Sequence, residues 1–191
     1  MQSKNFSNNW QCRKNFTEKY ILDDPLKKET NLGPVVRLSA AKFIREQINE
    51  AIQNGATDIV DKKNFRISDH GNCYVSPSIL VNVDHTMKFM MEETFGPSVG
   101  IMKVSNEDEA VKLMNDSSYG LTASVWTSDK DFALSFGKKI STGTFFMNRC
   151  DYLDPGLAWT GVKDTGIGVT LSVLGFDHLT RAKSFHCRTI G

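Results

Sequence analysis

The sequence has four cysteines, five prolines and no excess of charge of either sign. Cys12, Cys73, Cys150 and Cys187 are scattered and form no Cys-x-x-Cys pair, so neither a disulfide framework nor a zinc knuckle is encoded. His70 near Cys73 and His186 beside Cys187 do not repeat a zinc-ligand spacing, and no metal site is expected. Lys and Arg number 23 against 22 for Asp and Glu, a formal charge of +1. That balance removes the electrostatic case for a nucleic acid or an anionic membrane as partner. No apolar run approaches the ~20 residues of a membrane span. Residues 1–16 lack an apolar h-region, so no secretory leader is predicted and a cytoplasmic chain with reduced thiols is expected. Two nucleotide signatures are missing as well. No Gly-x-Gly-x-x-Gly occurs, and Gly161-Val-Lys-Asp-Thr-Gly166 begins like a phosphate loop but puts Ile167 where lysine should stand.

What is present is an ordinary globular mixture of 191 residues, 40% hydrophobic and 24% charged, long enough for one α/β domain. Phe16, Tyr20 and Leu22 fit one face of a short helix that Asp23-Asp24-Pro25 breaks. Ala40, Phe43, Ile44, Ile48, Ala51 and Ile52 carry helical spacing, with Ser39 as expected N-cap and Asn54-Gly55 as stop. A short strand over 56–60, a loop over 61–72 and a strand over 75–83 follow. From there the chain alternates. Strands at 98–104, 121–127 and 144–147 are separated by helices whose starts read Asn106-Glu-Asp-Glu109 and Ser128-Asp-Lys-Asp131. Strand–helix–strand succession at these intervals predicts βαβ units: a parallel sheet with flanking helices, a three-layer α/β fold. Residues 149–170, rich in glycine, read as a long loop, 172–179 as a helix, and 181–188 as an extended C-terminal strand.

Three places could carry chemistry. Cys150 ends a predicted parallel strand, where α/β sites form, and Arg149 would favour its thiolate. The neighbouring Asp151 oppose that effect, so a structural thiol is the main reading and a nucleophile the alternative. Asp151 and Asp154 could pair as carboxylates, though a solvated loop is the main reading. Glu92-Glu-Thr-Phe-Gly-Pro97 combines carboxylates, an aromatic and a turn before a strand. A carboxylate there can accept hydrogen bonds from a ribose, and the aromatic offers a face to a flat ring.

Six segments in register resemble the C-terminal part of the NAD(P)-dependent aldehyde dehydrogenase catalytic domain. They are Asp24-Pro-Leu26 with Thr30-Asn-Leu-Gly-Pro34, Glu92 to Pro97, Asn115-Asp-Ser-Ser-Tyr-Gly-Leu121, Thr142-Gly-Thr144 to Asn148, Gly161 to Gly168, and Leu179-Thr-Arg-Ala-Lys183. The resemblance covers about residues 23–188. It implies oxidation of an aldehyde through a cysteine thiolate, hydride transfer to NAD or NADP, and hydrolysis by a glutamate-activated water. By motif, Glu93 resembles the glutamate that holds the nicotinamide ribose, and Phe95 the aromatic beside the nicotinamide. Trp159 and Leu153 resemble walls of the aldehyde tunnel. Gly161, Lys163 and Gly166 resemble backbone-positioning residues, with Thr165 where the family has serine.

The departures are as informative. Cys12 lies too close to Asp24 to match the family nucleophile, and residues 1–12 carry none of its motifs. The general-base glutamate and the Rossmann cofactor domain have no counterpart in the chain. The expected organisation is therefore a poorly matched segment 1–22, a partial catalytic domain 23–170, and a helix and oligomerisation-type tail 171–191. A fragment inactive by itself is expected, or alternatively a non-catalytic module. It would pair as a homo-oligomer, with a dehydrogenase subunit, or with a separate N-terminal half.

Overall fold

The computed structural model describes residues 3–70, 72–150 and 152–191. The chain divides into two compact units, Met1–Ser105 and Asn106–Gly191.

The N-terminal unit is organised by α2, Leu38–Gln53. Ala41, Ile44, Ile48 and Ala51 fall on one face at intervals of three and four residues and are buried. The helix starts two residues earlier than the sequence suggests. Arg37, with extended backbone and no side-chain capping bond, occupies the N-cap position, and Ser39 lies inside the first turn. The C-terminal stop is as expected from Asn54-Gly55. Gly55 takes φ +105°, which glycine tolerates at no steric cost. Its N–H donates to the Ile52 carbonyl (3.1 Å), and the Ala56 N–H to that of Ala51 (2.9 Å). These are the paired bonds of a Schellman turn.

Strand β2, Ser78–Val81, lies between β1, Thr57–Asp58, antiparallel to it, and β3, Ser98–Ile101, parallel to it. Successive side chains of β2 point to opposite faces. Leu80 joins Ile44, Ala51, Met87 and Phe89 in the cluster under α2. Ile79 joins Leu22, Val60 and Phe65 on the other side. One helical layer on a sheet is present as expected, but β1 makes the sheet mixed and the second cover is irregular chain rather than α-helix. That cover includes the 3₁₀ segment Lys62–His70, in a stretch expected to be loop. Helix α1, Ser3–Thr17, is longer than expected and stops before Tyr20 and Leu22. Leu22 is instead buried and bridges to Leu32. A helix face could not hold it, because the core it fills is built from distant segments. Between β2 and β3 lies the single-turn α3, Lys88–Met91.

Two polar clamps tie this unit together. Arg45 on α2 donates from Nη2 to the carbonyls of Asn72 (2.9 Å) and Tyr74 (2.7 Å). Lys62 Nζ reaches Asp58 Oδ2 and Ser78 Oγ, each at 2.7 Å, joining the 3₁₀ segment to β1 and β2. Burial pushes the Lys62 amine below its ordinary value of 10.5, against the opposite pull of Asp58.

The C-terminal unit repeats the βαβ logic. Asn106 caps α4, Glu107–Asn115, by accepting from the Glu109 N–H at 2.9 Å. Strand β4, Thr122–Val125, pairs in parallel with β5, Thr144–Met147, across α5, Lys130–Gly137. The cap of α5 is Asp129 rather than Ser128, because the Asp129 carboxylate accepts from the Phe132 N–H (2.9 Å). The stretch expected as one long loop holds two short antiparallel strands, β6, Trp159–Thr160, and β7, Val169–Thr170. Two-residue strands have no periodicity for a sequence to display. Helix α6, Ser172–Leu179, follows as expected, and residues 181–191 are exposed. The start of β5 meets β6 without room for a side chain: a Cβ on Gly143 would lie 1.6 Å from the Thr160 carbonyl oxygen. Among the described residues no helix is long and apolar enough to cross a membrane.

Candidate functional site

In the N-terminal unit, Glu92 to Pro97 links α3 to β3. Its position is set at Gly96, where a Cβ would come within 2.6 Å of Ile44 Cδ1 on α2. With the backbone pressed onto the helix, Phe95 adopts φ 49° and turns outward, 87% exposed. Glu93, Thr94 and Phe95 then form one side of a cavity of about 660 Å³. The other side is Val35, Arg37 and Phe43, at the entry to α2. The structure thus places Glu93 and Phe95 on one wall of this cavity. Val35, Arg37 and Phe43 escaped the sequence reading. Phe43, which the sequence spacing places on the apolar stripe of α2, lies off the buried face and is 47% exposed.

An acceptor-only carboxylate beside an exposed aromatic suits the hydroxyl donors of a ribose diol and the face of a flat ring. Among the described residues no cluster of three or more His, Cys, Asp or Glu side chains could hold a metal ion.

Cys150, Leu153 and Trp159 belong to the C-terminal unit. Trp159 lines a smaller cavity of about 90 Å³ with Thr144, Phe146, Arg149 and Tyr152. The lining includes Tyr152 and Asp154 but not Leu153, which is 56% exposed. Cys150 is exposed, as are Cys12 and Cys187, and all four cysteines are free thiols. Arg149 places its guanidinium carbon 3.6 Å from the centre of the Tyr152 ring, a cation–π contact. Asn148, at φ 56°, closes β5 by accepting from the Thr127 N–H (2.9 Å) and donating to its carbonyl (2.8 Å). Asp154 accepts from the Gly156 N–H at 2.9 Å and so shapes a turn. Its suggested carboxylate partner, Asp151, lies outside the described residues.

The segment after Trp159 is tied down along its length. Lys163, at φ 58°, donates from Nζ to the carbonyls of Asn115 and Ser117, both at 2.9 Å. Thr165 Oγ1 accepts from the Gly120 N–H at 2.8 Å. The N–H groups of Val162 and Asp164 donate to Gly120 (3.0 Å) and Ser118 (2.9 Å).

Comparison with known proteins points one way. The profile of the aldehyde dehydrogenase family matches residues 6–185, reaching back past the expected start near residue 23 into α1. That helix carries no short motif, which is why the likeness there was not visible. The chain is 34% identical over 164 residues to the succinate-semialdehyde dehydrogenase [NADP(+)] of Deinococcus radiodurans, covering 86% of this chain and 34% of that protein. It is 33% identical over 153 residues to the 3-sulfolactaldehyde dehydrogenase of Priestia megaterium, covering 80% and 31%. Among solved structures, the Mycobacterium tuberculosis aldehyde dehydrogenase complexed with NAD+ superposes with a TM-score of 0.85 at 28% identity, over 93% of this chain and 36% of that one. The Streptococcus pyogenes succinic semialdehyde dehydrogenase with NADP+ gives 0.83 at 31% identity, over 91% and 38%. The chain spans about a third of the length of the curated relatives it matches.

Proposed function

The chain belongs to the aldehyde dehydrogenase family, and from that premise we propose that it supplies the C-terminal part of an NAD(P)-dependent catalytic domain. In this reading it provides walls for cofactor and aldehyde but not the reacting thiol. The observation that carries the reading is the shared cavity of Glu93 and Phe95. The Glu93 carboxylate accepts hydrogen bonds from the nicotinamide ribose, and Phe95 presents its face to the ring. When bound, oxidised nicotinamide supplies the hydride acceptor. Trp159, with Leu153 on the loop that precedes β6, forms the apolar wall of the aldehyde tunnel. In this reading the exposed Cys150 is a structural thiol rather than the nucleophile.

The purified chain is therefore expected to produce no reduced nicotinamide from aldehyde and NAD+ or NADP+. Robust turnover would overturn this reading. If turnover were seen and Cys150→Ser abolished it, Cys150 would become the nucleophile.

A second reading, an assembly module, is favoured by the apolar surface of the C-terminal unit. Val173, Phe176, Leu179 and Phe185 are all more than two-thirds exposed. The exposed tail 181–188 suits strand pairing with another subunit. Size-exclusion chromatography with light scattering tests it; a stable monomer would count against it.

A further inference from the structure

We infer that Lys163 is the positioning residue for Trp159, holding that wall of the aldehyde site through the carboxyl end of α4. The inference rests on the reading of Trp159 as a tunnel wall, and it concerns how that wall is kept in place.

Strand β6 is two residues long and, among the described residues, pairs only with the equally short β7. So small a ladder cannot fix a large indole by itself. The chain beyond it supplies the hold. Lys163 adopts a left-handed backbone, φ 58°, which a side chain normally avoids. In that conformation its ammonium bonds the carbonyls of Asn115 and Ser117 at 2.9 Å each. These carbonyls belong to the last residue of α4 and the turn after it, where unpaired oxygens and the helix dipole favour a cation. Thr165 closes the other side of the loop through the Gly120 N–H.

The anchor is itself braced. The Asn115 side chain donates to the Lys139 carbonyl (2.8 Å) and accepts from the Ser141 N–H (2.7 Å). The carbonyl that receives Lys163 is thus tied to the turn leading into β5. Gly143, at the end of that turn, lies against Thr160, the neighbour of Trp159. Lys163 and Gly143 fix β6 from its two sides, and the lysine is the only one of the two that uses a side chain to do so.

The test uses the full chain carrying Trp10→Phe and Trp126→Phe, so that Trp159 is the only indole, and reads acrylamide quenching of its fluorescence. Lys163→Met is expected to raise the quenching constant about twofold, because loops held by few bonds open locally. Lys163→Arg, which keeps the charge and the donors, is expected to restore it. Thr165→Val, a milder change on the opposite side of the loop, is expected to raise it as well and serves if Lys163→Met does not fold. A parallel chain with Trp126 as sole indole is expected to show no change on Lys163→Met. Equal increases at both reporters, or no increase at Trp159 in either variant, would overturn the inference. Quenching is read without cofactor or aldehyde, so this result stands apart from the tunnel reading. That reading fails instead if hexanamide, an unreactive aldehyde mimic, leaves Trp159 quenching unchanged in the chain with Lys163 intact.

Discussion

The N-terminal unit covers both faces of its central strand, whereas the C-terminal unit leaves most of its large apolar residues in water. Both core clusters lie in the former, around Leu80 on one face and Ile79 on the other. In the latter, among the described residues, the buried apolar side chains are Ala133, Phe136 and Ile140. Helix α4 buries no residue and α6 only Gly175. Burying a Val, Leu or Phe side chain contributes about 1.5–3 kcal/mol. The C-terminal unit has realised little of that. Its order comes instead from polar and backbone devices: the Asn106 and Asp129 caps, the Asn115 braces and the Lys163 bonds. One chain therefore holds a region stabilised by area and a region stabilised by hydrogen-bond geometry.

Hydrogen exchange on the full chain gives the largest expected contrast. Amides of α2 and β2 should exchange at least about a hundredfold more slowly than those of α4 and α6, since local opening free energies run from near zero up to the global value. Similar protection in both units would break the comparison. Truncation at Leu80, which is fully buried, comes next. Leu80→Ala should cost about 2–5 kcal/mol in denaturant unfolding. Leu174→Ala, at a position 51% exposed, should stay within about 0.5 kcal/mol. Comparable losses would mean that α6 has cover in solution.

A smaller effect sharpens the picture of the N-terminal core. Gln47 is only 5% exposed, and neither its Nε2 nor its Oε1 has a hydrogen-bond partner. Gln47→Met should stabilise the chain by about 1 kcal/mol, because an unsatisfied buried amide is removed at similar volume. Loss of stability on the same change would reveal a partner for the amide. The smallest effect is pH dependence at Lys62. Its amine is held below 10.5 in the folded chain by burial. Between that lowered value and 10.5 the unfolded chain binds more protons, so stability should rise with pH across the interval. The rise should shrink in Lys62→Met when unfolding is followed over a series of alkaline buffers; an unchanged slope would assign it to other groups.

What could be read from the residues follows the same division of physical causes. Helix α2 was legible because its apolar stripe repeats and its Asn54-Gly55 stop has one steric meaning. The Asn106 cap, β5 and α6 were legible from local chemistry too. Leu22 was misread because its burial depends on Phe65 and Ile79, far away in sequence. The strands β6 and β7 were invisible because pairing, not pattern, makes them. At the candidate site, Glu93 and Phe95 were evident from a short motif. Their facing wall at Val35, Arg37 and Phe43 was not, since it arises from the packing of Gly96 on Ile44.

The contact at Gly143 has a consequence for how this chain can vary. The gap to the Thr160 carbonyl admits a hydrogen but no methyl group. No amino acid is intermediate in size between glycine and alanine, so the spacing of β5 and β6 cannot be adjusted by small steps. A library containing all twenty residues at position 143 should return glycine alone from a screen for folded chains. Variation that reaches this junction has to arrive as a coordinated change of both strands or not at all.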